Sequence, residues 1–209
     1  MRQPARLPFL LLLALAPFGS WAGAPAPASA QQSPTELLRS RNQVVQRILL
    51  AHPGDTVTGP DAERLKDVIN SLMDFEELSK RALGRHWDPR TAAEKVEFVR
   101  VFRDLVRNSS VRKLGVHRAD SITYRPAQIS GTTATVTTVA HKDRRSAEIV
   151  YHMHQVGGEW KAWDVIIDGS STMRTYRDSF AREIASTSFE AMFTRLKERL
   201  EQERGEGLD

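Results

Sequence analysis

Hydrophobic positions fall at helical spacing along the first half of the chain. Ser33-Pro34-Thr35-Glu36 reads as a capping box with proline in the first turn, and Leu37, Leu38, Val44, Val45, Ile48 and Leu49 form one apolar side of a helix ending near Ala51. After a loop from His52 to Gly59, Leu65, Val68, Ile69 and Leu72 predict a second helix over about 60–72. Asp74 with Glu77 starts a third, which Gly84 stops. Thr91 with Glu94 caps a fourth, running to about Ser109 and continuing to Leu114, with Val96, Phe98, Val99, Phe102, Leu105 and Val106 as its stripe.

Beyond Gly115 the period becomes two. Segments 121–129, 131–141, 146–156 and 159–167 are rich in Thr, Val and Ile, as strands are. Lys142-Asp143-Arg144-Arg145 and Gly157-Gly158 supply the tight turns between the later strands. From Ser171 helical spacing returns with Met173, Tyr176, Phe180 and Ile184, and a last helix spans about 188–201 ahead of a polar, mobile tail at 203–209. The expected fold is therefore α+β, with helices packed on one four-stranded antiparallel sheet.

The N-terminus changes the picture of compartment. Arg2 and Arg6 precede an apolar run from Leu7 to Ala16, and small residues end in Ala28-Ser29-Ala30. This reads as a secretory signal peptide cleaved after Ala30; the run is too short for a bilayer, which needs roughly twenty residues. A single domain over 31–202 remains. Of 30 basic and 26 acidic residues only Arg2 and Arg6 belong to the leader, so the mature chain is nearly neutral, which gives no indication of nucleic-acid binding. The chain has no cysteine, which removes disulfides, thiolate metal sites and thiol nucleophiles.

Candidate chemistry is sparse. His152 and His154 share a strand face and His141 lies on the strand before, a pattern zinc can use. The hairpin register sets His152 opposite about Val136 and keeps His141 away, so no metal site is expected. Gly169-Ser170-Ser171 is not a G-x-S-x-G elbow, and a serine at a helix start is ordinarily an N-cap. Asp164 and Asp168 are read on one strand face some 13 Å apart, too far for a retaining carboxylate pair; either could act alone as a base in a small cup-shaped enzyme. The alternative is a structural joint of Asp164, Gly169, Ser170 and Arg177, with Asp164 anchoring Arg177. Arg100, Arg103 and Arg107, extended by Arg112, Lys113 and Arg118, form a basic stripe that is either solvated or a docking face for acidic partners or anionic headgroups.

Three stretches together carry a resemblance. "DFEELSKRALGRHWDPRTAAEKVEFVRVFRDLV" has Leu83-Gly84, then Trp87, then Phe98 and Phe102 as F-x-x-x-F; "AEIVYHMHQVGGEW" contains a tyrosine-bearing strand; "WKAWDVIIDGSSTMRTYRDSF" follows W-K-x-x-D-V-x-I-x-G-x-S and then Y-R-x-x-F. Over about 34–200 the chain resembles the MlaC family, also called toluene-tolerance auxiliary proteins. It departs from the pattern at His86, at Asn108-Ser109-Ser110, where a tyrosine is common, and at Ser171-Thr172.

The resemblance implies a periplasmic phospholipid carrier without catalysis or cofactor. It implies as partners an inner-membrane complex of MCE-domain protein, permease and ATPase, and an outer-membrane lipoprotein–porin complex, in the service of outer-membrane lipid asymmetry. A related branch is associated with hopanoids. Acyl chains would lie in an apolar cavity between sheet and helices. With their places on apolar faces, the family match picks out Phe75, Leu83, Trp87, Phe98, Phe102, Ile149, Tyr151, Met153, Val165, Ile167, Met173, Tyr176 and Phe180 as expected lining. A filled core in a purely structural envelope protein is the third alternative.

Overall fold

The computed structural model describes residues 32–52, 57–112 and 118–205. The leader with its cleavage site, Leu114 and residues 206–209 lie outside the described residues.

Local chemistry sets the helix starts. In α1 (Pro34–Ala51) the Glu36 amide donates to Ser33 Oγ at 3.2 Å and the Ser33 amide to Glu36 Oε2 at 3.2 Å, closing the capping box. α2 spans Gly59–Asn70. α3 (Phe75–Leu83) starts where the Glu77 amide donates to Asp74 Oδ1 at 2.9 Å, and it stops at Gly84. Gly84 takes φ +52° and ψ −125°, a conformation that only glycine adopts without strain. A single 3-10 turn, Gly84–His86, leads to α4 (Ala92–Arg112), capped reciprocally by Thr91 and Glu94.

The sheet has six strands, where the periodicity predicts four. β1 (Ser121–Tyr124) and β2 (Gln128–Ser130) both pair with β3 (Thr133–Lys142), so the expected first strand is two. The break falls around Pro126, which has no N–H to give a ladder. β4 (Arg145–Val156), β5 (Glu159–Ile167) and the two-residue β6 (Ser170–Ser171) complete an antiparallel order β1-β3-β4-β5-β6. Asp143 with φ +53° turns β3 into β4, and Gly157-Gly158 turns β4 into β5. The β4–β5 register shifts between His152, opposite Asp164, and Met153, opposite Ala162. Trp163 is thus the extra residue of a bulge.

Beside the bulge the chain leaving α2 is stitched onto β5. The Ala162 amide donates to Leu72 O at 2.8 Å and the Asp74 amide to Ala162 O at 2.7 Å, forming a parallel bridge at Met73. α5 (Thr172–Ser186) and α6 (Phe189–Gly205) follow the sheet. The chain is helical through Glu203, which the sequence assigned to a tail; Asn108 Nδ2 donates to Glu203 Oε2 at 3.1 Å.

Burial divides into three clusters. One joins α3, α4, α5 and α6 through Leu78, Leu83, Phe98, Phe102, Phe180, Met192 and Phe193. A second joins α1 to the sheet through Leu38, Val136, Ile149, Tyr151, Met153 and Trp160. The third holds α1 against α2 through Val45, Ile48, Leu49 and Leu65. No helix among the described residues is long and apolar enough to cross a membrane.

Candidate functional site

Where the three clusters meet, the packing leaves a partly open cavity of about 160 Å³. α1 contributes Leu38, Arg41, Asn42 and Val45; the α2 segment contributes Val68, Ile69, Asn70, Leu72 and Met73. Val106 and Ser109 come from α4, Ile149 and Tyr151 from β4, Val165 and Ile167 from β5, and Thr172 and Tyr176 from α5. Strand pleating explains the sheet's share. Ile149 stands opposite Ile167 and Tyr151 opposite Val165, so all four project from one face.

Five of the thirteen residues expected to line a cavity do so: Ile149, Tyr151, Val165, Ile167 and Tyr176. The other eight lie in packed core or at its edge. Leu83, Trp87, Phe98, Phe102 and Phe180 are buried in the helical cluster, with Phe75 and Met173 packed on its margin. Met153 belongs to the sheet cluster beyond the bulge. The phenylalanines fill their space with one another. Phe98 and Phe102 lie 5.6 Å apart between ring centroids, Phe98 and Phe193 5.6 Å, and Phe102 and Phe180 5.3 Å, the last pair edge to face.

Polar groups on the wall are few. Tyr151 is buried, and burial pushes its phenol up to about 12, against a smaller opposing effect of its hydrogen bond with Thr138. It is therefore a neutral group. Asn42 Nδ2 donates to Tyr124 Oη at 2.9 Å, and Asn70 Nδ2 to Lys66 O at 2.6 Å. Arg41 makes no ion pair or hydrogen bond with the described residues, and its Nε is buried without an acceptor. The lining from α1 and α2 is what the sequence reading missed. A signal for it exists: Leu38, Val45 and Leu49 mark the buried side of α1, and the helical position between Leu38 and Val45 holds Arg41 and Asn42 instead of an apolar residue.

The joint is built differently from expectation. Ser171 Oγ donates to Asp164 Oδ2 at 2.7 Å, and the Met173 amide donates to Asp164 Oδ1 at 2.9 Å. The Arg174 amide in turn donates to Ser171 Oγ at 3.0 Å, so Ser171 is the N-cap and Asp164 supports it from the strand below. Arg177 is exposed on α5 and forms no ion pair with Asp164. The Met173 amide and, two residues earlier, the Ser171 hydroxyl already occupy both carboxylate oxygens. Gly169 (φ +80°) and Ser170 shape the turn into β6.

Asp168 is not on the face of Asp164. β5 ends at Ile167, and Asp168, with φ +46°, sits in the turn, where its carboxylate accepts from the Glu148 amide at 2.9 Å. Neither aspartate lines the cavity.

The histidines are separated too. His141 Nε2 lies 3.1 Å from Thr123 Oγ1, and His154 Nε2 lies 2.8 Å from Asp74 Oδ2. The His152 ring stacks at 5.2 Å on Trp163, over which the Arg81 guanidinium also lies, 3.9 Å from the ring centre. His152 faces Thr135, one residue from the expected Val136. No three His, Asp or Glu side chains among the described residues form a group that could hold a metal. The basic stripe is partly neutralised, Arg103 by Asp104 and Arg107 by Asp67; Arg118 Nη1 reaches Leu49 O at 3.5 Å. The side chains of Arg112 and Lys113 lie outside the described residues.

Fold and site together define an α+β protein with an apolar cavity between its sheet and helices. The family model described as "MlaC protein" matches residues 45–198, and the chain belongs to this family. A solved structure of similar fold is the phospholipid-binding protein from Ralstonia solanacearum in complex with a phospholipid. It has a TM-score of 0.68 and 18% identity, over 81% of this chain and 98% of that one. No curated protein matches the sequence.

Proposed function

We propose that the protein is a periplasmic phospholipid carrier, exported by its N-terminal leader, that takes acyl chain into the cavity and performs no covalent chemistry. The observation that carries this reading is an apolar cavity between sheet and helices in a chain of the MlaC family. The likeness in fold to a protein crystallised with phospholipid supports it. Each methylene withdrawn from water is worth about 0.8 kcal/mol, so moving two chains through water unaided costs tens of kcal/mol. A carrier must therefore exchange one dry environment for another at nearly constant free energy.

In this reading the chain touches Val45, Val68, Ile69, Val106, Ile149, Tyr151, Val165, Ile167 and Tyr176, and the phenylalanine cluster is a rigid foundation. A cavity of about 160 Å³ has the size of one that holds a benzene-sized guest. Lipid uptake then requires the wall of α1 and α2 to draw away from the sheet. Delivery would run between the inner-membrane MCE-domain, permease and ATPase complex and the outer-membrane lipoprotein–porin complex, serving outer-membrane lipid asymmetry.

The test is to purify the exported protein, extract it with organic solvent and quantify lipid by mass spectrometry. Stoichiometric phospholipid is expected. A protein that comes out empty, and stays empty after incubation with phospholipid vesicles, overturns the reading.

A further inference from the structure

Arg41 occupies a position that folding alone does not explain. It lies on the α1 side that buries Leu38, Val45 and Leu49, where a fourth apolar residue would be the ordinary choice. Its side chain is half-buried, makes no ion pair or hydrogen bond with the described residues, and its Nε is shielded from water with no acceptor. A guanidinium N–H left in this state is costly unless something supplies an oxygen.

Its place in the fold says what that something is. Arg41 and Leu72 both line the apolar cavity, and both also line a second recess of about 220 Å³ that adjoins it through these two residues. That recess is polar, bounded by Ser71 and by Gly158, Glu159 and Lys161 at the β4–β5 turn. Lys161 Nζ is engaged, 3.2 Å from Glu159 Oε2 and 3.2 Å from Ser71 O. Arg41 is the cation here with no acceptor. An apolar cavity, a polar recess and a guanidinium shared by the two walls match the parts of an amphiphile: chain, polar remainder and the anionic oxygens that join them. Guanidinium is also the side chain best suited to such oxygens, since its fork can donate two parallel bonds.

We propose that Arg41 binds the anionic oxygens of the amphiphile whose chain occupies the cavity, a phosphodiester or a carboxylate, with the remainder of the headgroup in the recess at Lys161. This assignment rests on the carrier reading and deepens it. The cavity then selects for charge at a fixed depth as well as for apolar chain.

The experiment compares binding of dioleoylphosphatidylglycerol, oleate and dioleoylglycerol to the purified protein and to Arg41→Gln. Wild type is expected to prefer one or both anions over dioleoylglycerol by about tenfold or more, in line with charge-assisted hydrogen bonds. Arg41→Gln is expected to lose that preference, read as the ratio of anion to dioleoylglycerol binding in the same protein; which anion is affected tells phosphodiester from carboxylate. Arg41→Met, with an unbranched apolar chain on the same wall, gives the same result and guards against a variant that fails to fold. Wild type that binds the anions, with both variants discriminating equally well, overturns the role of Arg41 alone. Wild type that binds none of the three overturns the carrier reading and this assignment with it.

Discussion

Asp164 and Ser171, on the last long strand and at the start of the helix after it, share a hydrogen bond of 2.7 Å inside the protein. Asp164 is only 2% exposed, and its second oxygen accepts from the Met173 amide. A carboxylate held in this way is committed to positioning α5. Asp164→Ala is expected to cost about 2–4 kcal/mol, because two donors lose a charged acceptor. Ser171→Ala is expected to cost about 1–3 kcal/mol through the lost cap and the carboxylate left short of a donor. Urea unfolding of both single variants and the double variant measures this. The two sites should couple, the double variant losing less than the sum of the singles. An Asp164→Asn protein of unchanged stability that had lost a turnover activity would restore the enzyme reading.

Core and cavity give opposite signatures. Phe102→Leu is expected to lower stability by about 1–2 kcal/mol, since it removes part of a packed ring cluster, while the folded protein loads lipid as before. Val165→Phe, directed into open space beside Tyr151, should change stability by less than about 1 kcal/mol and cut lipid content at least by half. Thermal unfolding and lipid extraction on the same samples separate the two.

Gly84 ends α3 with φ +52°, and a Cβ there would meet Arg177 Cδ only at an ordinary 3.9 Å. The cost of Gly84→Ala is therefore conformational, about 1–3 kcal/mol, and trimming Arg177 to Ala should not relieve it. Denaturation of the single and double variants decides whether backbone or contact is responsible.

Tyr151 should ionise only in strongly alkaline solution. Its folded value lies above the unfolded one, near 10. Its contribution to stability is therefore fully present below about pH 10 and is lost as pH rises towards about 12. Ultraviolet titration should show a late phenolate step that Tyr151→Phe removes.

Much of this fold is legible in the chain because short-range chemistry dictates it. Ser33 with Glu36, Asp74 with Glu77 and Thr91 with Glu94 mark helix starts that the structure reproduces as caps. The two-residue turns at Asp143-Arg144 and Gly157-Gly158 fix the β3–β4–β5 meander to within one residue. What stays hidden is long-range. Nothing near Met73 announces a bridge to Ala162, and nothing near Asp164 announces that its partner is Ser171 and not Arg177. Core and cavity wall are equally apolar, so Phe98 and Val165 look alike until the neighbouring elements are placed. The site was half visible on the sheet side, where alternation assigns a face. It was invisible on α1 and α2, whose apolar stripes any packed helix would carry; only Arg41 and Asn42, polar where burial was due, set α1 apart.

The apolar cavity has a thermodynamic consequence of its own. Residual cavity volume in a core lowers stability, so a guest that fills this apolar space of about 160 Å³ restores packing contacts to its walls. A guest that binds only the folded chain raises its stability in proportion to occupancy. For the proposed carrier, melting temperature thus becomes a gauge of cargo: the laden molecule would be the sturdier one, and each delivery would return the protein to its weaker form.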